Sequence, residues 1–115
     1  MKYLIVVNAP PGSVSSAQAL AFANALLNKQ HTIETLFFVD EGVKNAEDHP
    51  WAQFLRERQL TATICVNSVE AYLPDYSSNA HNPFQIAGMA QLAAALASCD
   101  RTLTFGSRTD QGAAT

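Results

Sequence analysis

The segment Thr61–Leu73, with the sequence TATICVNSVEAYL, contains a strand pattern followed directly by a helix pattern. Threonine, isoleucine and valine favour β-strands, so Thr61–Val66 is predicted to be a strand. The polar Asn-Ser pair that follows favours a turn into a short helix over Asn67–Leu73. Cys65 lies one residue before the end of the predicted strand. It is therefore either a small apolar filler of the core or a nucleophile at the edge of a sheet.

Strand and helix patterns alternate along the rest of the chain. The other predicted strands are Tyr3–Val7, Ile33–Val39 and Arg101–Phe105. The other predicted helices are Ala17–Lys29, His49–Arg58 and Phe84–Ser98. Strands that alternate with helices typically form a parallel sheet with helices on both faces. The sequence thus predicts one α/β domain over residues 1–105 with a mostly parallel sheet, and a flexible C-terminal tail over residues 106–115.

Composition narrows the class of protein. The chain has 115 residues and a net charge of −3, and its seven basic residues are scattered rather than grouped. Direct nucleic-acid binding is not expected, because it usually requires a basic surface stripe. Neither a leader sequence nor an apolar stretch of membrane-spanning length is found, so a cytoplasmic protein is predicted. Only 15% of the residues are charged, and the helices show little polar face, which favours contacts with other subunits.

Functional groups of a parallel sheet collect at the carboxyl ends of its strands. Cys65 is expected at this edge, just ahead of a helix N-terminus, where the positive end of the helix dipole favours a thiolate. Asn67 and Ser68, two and three residues after Cys65, are expected to support that thiolate. Asn67 and Glu70 also have the spacing of a capping box, although the carboxylate of Glu70 opposes a nearby negative charge.

Two loops are further candidates. Asn8–Ser16 precedes a helix N-terminus and could hold an anion, but it contains neither the dinucleotide-binding nor the P-loop glycine pattern. A turn with a helix cap is therefore the favoured interpretation of this loop. Asp75–Pro83 is polar and long for an α/β protein, and it follows the Cys65 helix closely enough to form a lid over the thiol or a partner-docking segment.

The remaining histidines and cysteine predict no metal site and no disulfide. The three histidines are dispersed along the chain, at His31, His49 and His81. No Cys/His spacing typical of zinc ligands is present. Cys99 precedes the last strand and so lies at the opposite edge of the sheet from Cys65, farther than a disulfide can reach. Cys99 is predicted to be structural.

Six segments occur in a characteristic order over residues 1–105. They are KYLIVV (2–7), ALAFANALL (19–27), FFVDEGV (37–43), ICV (64–66), FQIAGMAQL (84–92) and SCDRTLTF (98–105). In their order and spacing the chain resembles the DsrE/TusD family of small sulfur-relay subunits. The resemblance implies a flavodoxin-like (DsrE-type) fold. It also implies that Cys65 carries sulfur as a persulfide, without a metal or organic cofactor.

The resemblance further implies partners. These are sister subunits of the TusB/TusC (DsrF/DsrH) type and sulfur-carrier proteins upstream and downstream in a relay. One branch of the family passes sulfur toward 2-thiouridine at the tRNA wobble position, and another handles sulfur in dissimilatory sulfur oxidation. Two departures stand out: the segment between the second and third strands is short, and VNSVEA after Cys65 lacks the basic residues often found there.

Two other functions stay open. One is a structural subunit of such an oligomer in which Cys65 is silent. The other is a flavodoxin-like module that binds a nucleotide or flavin through Asn8–Ser16.

Overall fold

The structure, a computed structural model, describes residues 1–47, 49–77 and 82–106. Its strands are β1 (Lys2–Asn8), β2 (Thr32–Phe38), β3 (Ala62–Cys65), β4 (Phe84–Ala87) and β5 (Arg101–Gly106). Its helices are α1 (Val14–Asn28), α2 (His49–Arg58), α3 (Val66–Tyr72) and α4 (Met89–Ser98), and a 3-10 segment spans Asp40–Glu47.

The sheet has the strand order β4-β3-β2-β1-β5, and every pair of neighbouring strands is parallel. The predicted parallel α/β sheet is therefore confirmed. Strand β1 is hydrogen-bonded on both sides, so that Ile5 pairs with Leu36 of β2 and with Leu103 of β5. Its side chains are also buried on both faces, with Ile5 in one apolar cluster and Leu4 in the other, which agrees with the continuous apolar run in β1.

Helices cover both faces of the sheet, as predicted. The first three crossovers all step in one direction, from β1 to β4, whereas the last returns from β4 to β5. Because parallel crossovers are right-handed, a reversal of direction places the helix on the opposite face. Accordingly, α1, α2 and α3 contribute to the larger apolar cluster, and α4 contributes Ala95 and Leu92 to a separate, smaller one.

Strand alternation decides which face each residue of β3 occupies. Ile64 is fully buried in the larger cluster, under the first three helices. Its neighbour Cys65 belongs to the smaller cluster, together with Leu4, Phe37 and Ala95. Cys65 therefore faces the α4 side of the sheet, which has only this one helix among the described elements.

The predicted long helix over Phe84–Ser98 is wrong in its first part. Phe84–Ala87 forms the edge strand β4, paired with β3, and only Met89–Ser98 is helical, with Gly88 as the N-cap residue. The side chains alternate as in a strand, because Phe84 is buried and Gln85 is exposed. Pairing with β3 overrides the helical bias of the alanine-rich sequence that follows.

The junction between β3 and α3 is also tighter than predicted. Helix α3 starts at Val66, and Cys65 itself is its N-cap residue. The predicted capping box of Asn67 and Glu70 is therefore wrong, since Asn67 already lies inside the helix. At the other end of the chain, β5 includes Gly106. Residues 107–115, the rest of the predicted flexible tail, lie outside the described residues.

No helix in the described ranges is both long enough and apolar enough to cross a membrane.

Candidate functional site

Cys65 occupies a junction between two elements. It is the last residue of β3 and the N-cap of α3, with extended backbone angles of φ −68° and ψ 127°. The first amide groups of a helix lack partners within the helix and carry partial positive charge. A free thiol at this position is therefore near groups that favour an anion. This placement confirms that Cys65 lies at the carboxyl edge of the sheet.

The Cys65 side chain is covered rather than open. It is only 5% exposed, and its Sγ lies 3.9 Å from Sδ of Met89, the first residue of α4. This distance allows a weak S–H···S contact. The beginning of α4 contacts Sγ, and the thiol of the single chain is not open to solvent. Sequence reasoning missed Met89, since a residue 24 positions away gives no local signal.

The Ser68 hydroxyl is bonded away from Cys65, and support of the thiolate by Asn67 and Ser68 stays a prediction. Ser68 is buried, and its Oγ accepts a hydrogen bond from the Asp40 backbone N–H at 2.8 Å. That bond connects α3 to Asp40, the first residue of the 3-10 segment. Asp40 has a left-handed φ of 50°. Asn67 is exposed. Ser68 thus acts on the position of α3, and neither side chain has a hydrogen bond to Cys65 among the contacts of the described residues.

The Asn8–Ser16 loop is organised by bonds within the protein. Ser13 caps α1 by accepting the Ser16 backbone N–H at 3.1 Å. The Ser16 hydroxyl donates to Asn45 Oδ1 at 3.0 Å and accepts from Trp51 Nε1 at 3.1 Å. Asn45, fully buried, donates to the carbonyl oxygens of Ala9 and Gly42, both at 2.9 Å. The interpretation as a turn with a helix cap is confirmed for Ser13.

A pocket of about 190 Å³ lies beside this network. Its lining residues are Gly12, Ser13, Ser16, Ala17, Leu20, Pro50 and Trp51. The hydroxyls of Ser13 and Ser16, two of the polar groups at its wall, are already engaged in bonds to the protein. The pocket is therefore a weak candidate for a phosphate or flavin site.

Both cysteines are free. Cys99 is the C-cap residue of α4 and is partly buried, with its Sγ 3.3 Å from Thr102 Oγ1. His31 follows α1, and its ring packs edge-on against Tyr3 with the ring centroids 5.5 Å apart. The side chains of His49 and His81 lie outside the described ones. Among the described residues no group of three or more His, Cys, Asp or Glu side chains could hold a metal ion.

Both ends of the Asp75–Pro83 loop are held by Tyr76 and Asn82. The Tyr76 hydroxyl donates to the Phe84 carbonyl oxygen at 3.4 Å and accepts from Asn82 Nδ2. Asn82 Oδ1 in turn accepts the Phe84 backbone N–H at 2.9 Å. Residues 78–81 lie outside the described ones, so a lid over the thiol stays a prediction.

Tyr76 gives the fold an alkaline sensitivity. Burial raises the pKa of its hydroxyl above 10.0, the charge of Glu47 acts in the same direction, and the bond from Asn82 opposes both. Since the folded pKa is the higher one, the folded chain holds the proton more tightly than the unfolded chain does. The corresponding stability is present below the unfolded pKa and is lost as pH rises through the folded pKa.

We therefore expect Tyr76→Phe to reduce the loss of unfolding free energy between ~pH 9 and ~pH 11, measured by urea denaturation. Tyr72→Phe, which changes an exposed tyrosine, is the matched control. It should lose as much unfolding free energy at alkaline pH as the parent protein does. Equal alkaline losses in the parent and in Tyr76→Phe would contradict the assignment.

Helix α4 presents an apolar outer surface next to the thiol. Its sequence, MAQLAAALAS, contains no charged residue. Met89 and Leu96 are 52% and 50% exposed. A helix that covers a sheet and otherwise faces water usually carries polar residues on its outer side. The prediction of poorly polar helices is thus confirmed for α4.

Comparisons with known proteins agree with the fold. The model of the DsrE/DsrF-like family matches residues 1–105. Sulfurtransferase TusD of Cronobacter sakazakii is 32% identical to the chain over 130 residues, which cover 91% of the chain and all of that protein. Sulfurtransferase TusD of Erwinia tasmaniensis is 29% identical with the same coverage.

A solved structure is also similar. The crystal structure of the ychN protein from E. coli superposes with a TM-score of 0.73 and 22% sequence identity, covering 91% of this chain and all of that one. At this level of identity the similarity concerns the fold.

Proposed function

Because the chain belongs to the DsrE/DsrF-like family, we propose that it is a sulfurtransferase of a sulfur relay, with Cys65 as its sulfur carrier. The observation that carries the proposal is the position of Cys65, a free thiol at the end of β3 and at the start of α3. The similarity to TusD sulfurtransferases over 91% of the chain supports the same role.

The reaction is a transfer of sulfane sulfur between thiols. The Cys65 thiolate attacks the outer sulfur of a donor protein's persulfide, and a new S–S bond forms while the donor's S–S bond breaks. The donor leaves as a thiolate and takes up the proton that Cys65 has lost. The next carrier then removes the sulfur from Cys65 in the same way. The sulfane sulfur moves without a net change in oxidation state, so the exchange requires no metal or organic cofactor.

The resemblance to the DsrE/TusD family is the basis for proposing a destination of the sulfur. We place the protein in a cytoplasmic relay that delivers sulfur toward 2-thiouridine at the tRNA wobble position, with sister subunits of the TusB and TusC type. The uncharged outer surface of α4, next to Cys65, supports contacts with other subunits. The net charge of −3 and the scattered basic residues support delivery through proteins rather than direct binding of tRNA.

Sulfur loading tests the proposal directly. The purified protein is incubated with a cysteine desulfurase and cysteine, and peptides are then analysed by mass spectrometry without reductant. We expect a mass gain of one sulfur atom on the peptide that contains Cys65, and its reversal by dithiothreitol. A Cys65 peptide that gains no sulfur, while the desulfurase itself is loaded, would contradict the proposal.

A second candidate function is a structural subunit with a silent thiol. The observation that favours it is the burial of Cys65, which is 5% exposed in the single chain. If the protein is structural, it should complete an oligomer when co-expressed with sister subunits, and Cys65 in that oligomer should gain no sulfur and resist alkylation.

A further inference from the structure

We propose that Met89 is a positioning residue of the sulfur-transfer site: its side chain closes Cys65 off from solvent and has to swing aside before a donor sulfur can reach the thiol. This inference rests on the proposed role of Cys65 as sulfur carrier. It concerns one specific contact, in which Met89 Sδ lies 3.9 Å from Cys65 Sγ.

The contact joins an accessible side chain to an inaccessible one. Met89 is 52% exposed, whereas Cys65 is only 5% exposed. Met89 follows Gly88 as the first residue of α4, so its side chain projects from the helix end that stands over the end of β3. The side chain of Met89 therefore separates the thiol from solvent on this side.

The other buried members of the Cys65 cluster offer no comparable opening. Leu4 and Phe37 are fully buried and belong to the central strands β1 and β2. Ala95 is buried and has no rotatable side chain that could move aside. Methionine is unbranched and has flexible torsions, so an exposed methionine changes rotamer at little cost. Rotation of Met89, whose Sδ contacts Cys65 Sγ, is thus a small movement that uncovers the thiol on this side.

The chemistry requires that movement. For thiol–disulfide exchange the attacking sulfur must approach the sulfane sulfur in line with the bond that breaks. The incoming sulfur must come nearer to Sγ than Met89 Sδ does now. A sulfur that approaches from the side of Met89 therefore meets the thioether first and reaches Sγ only after Met89 turns away. After the transfer, the outer sulfur of the Cys65 persulfide occupies the space that Met89 has left.

In this proposal Met89 is a gate, a side chain that controls access to Cys65. Alkylation kinetics test this gate without any sulfur donor. In Met89→Ala, iodoacetamide should modify Cys65 at least about fivefold faster than in the parent protein, which corresponds to about 1 kcal/mol in the opening equilibrium. With a bulky aromatic maleimide the rate of Cys65 modification should increase by a larger factor than with iodoacetamide, because the larger reagent needs a wider opening. Rates are measured peptide by peptide with mass spectrometry, so Cys99 reports on each variant as an internal reference.

Two matched variants separate a gate from a loss of structure. Met89→Leu keeps an apolar side chain of similar volume and should alkylate Cys65 within about twofold of the parent rate. Leu96→Ala removes a similarly exposed apolar side chain from the same helix and should leave the Cys65 rate unchanged. Neither substitution of Met89 should alter the rate of Cys99. A faster Cys99 in Met89→Ala would show general loosening of α4 and would overturn the proposal.

The gate and the carrier role can fail separately. If Met89→Ala alkylates Cys65 at the parent rate while the parent protein still gains sulfur on Cys65, the gate is wrong and the carrier role stands. If Met89→Ala exposes Cys65 selectively but no variant gains sulfur, the contact controls access to the thiol and the proposed role in sulfur transfer fails. The proposal as a whole requires both the selective alkylation and the sulfur gain.

Discussion

Replacement of Cys65 by serine should reduce sulfur acquisition from a loaded cysteine desulfurase to background. A serine hydroxyl cannot form a persulfide, so the loss concerns the chemistry itself rather than its rate. The measurement is the mass of the Cys65-containing peptide, with radioactive sulfur from labelled cysteine as a second readout. A Cys65→Ser variant that acquires sulfur as well as the parent protein would disprove the carrier role.

Controls are needed because Cys65 is buried. A serine hydroxyl at this apolar site is expected to cost about 1–3 kcal/mol of stability if it finds no partner. Cys65→Ala removes the thiol without adding a polar group and should lose sulfur acquisition equally. Cys99→Ser removes the other thiol and should keep the parent's sulfur gain. Circular dichroism of all three variants shows whether a loss of sulfur reflects chemistry or unfolding.

The position of Cys65 could be predicted from local sequence, since it depends on two short-range rules. A β-favouring run that gives way to a helix pattern places its last residues at the carboxyl end of a parallel strand. Alternation along that strand then sends Ile64 and Cys65 to opposite faces. Both rules held, and the error concerned only the exact start of α3, which falls at Val66.

The surroundings of Cys65 could not be predicted in the same way. Met89 meets the thiol because β4 pairs with β3 in a register that aligns Ala87 with Cys65, and α4 starts two residues after Ala87. That register depends on an edge strand of four residues. The sequence analysis assigned this strand to a helix because an alanine-rich sequence follows it. Long-range pairing therefore decided how open the site is.

The buried polar network beside the first loop was hidden for a similar reason. Asn45 and Ser16 look like ordinary loop and helix residues in the sequence, yet they are bonded to each other in the core. A buried amide is tolerated when its hydrogen-bonding groups have partners. Asn45 meets this condition through Ser16 and two carbonyl oxygens, one of which belongs to Gly42.

Gly42 shows why the segment FFVDEGV needs a glycine at this point. A Cβ atom on Gly42 would lie 2.1 Å from the Val7 carbonyl oxygen and 2.9 Å from the Val7 carbonyl carbon. These are backbone atoms, so no side-chain rotation can relieve the overlap. Val7 is fully buried in β1 and is paired with Phe38 and Phe105 on its two sides. The 3-10 segment can therefore cross the end of β1 only without a side chain.

Gly42→Ala should accordingly lower the free energy of unfolding by about 3 kcal/mol or more, because the overlap must be relieved by shifting backbone and by straining the Asn45 bond to the Gly42 carbonyl. Urea denaturation followed by circular dichroism measures the change. Gly88→Ala is the matched control: the nearest atom to its Cβ would be Gln91 Oε1 at 3.9 Å. The control should lose less than about 1 kcal/mol, mainly because alanine is a poorer N-cap than glycine. Equal losses in the two variants would mean that the close approach of the 3-10 segment to β1 does not determine the need for glycine at this position.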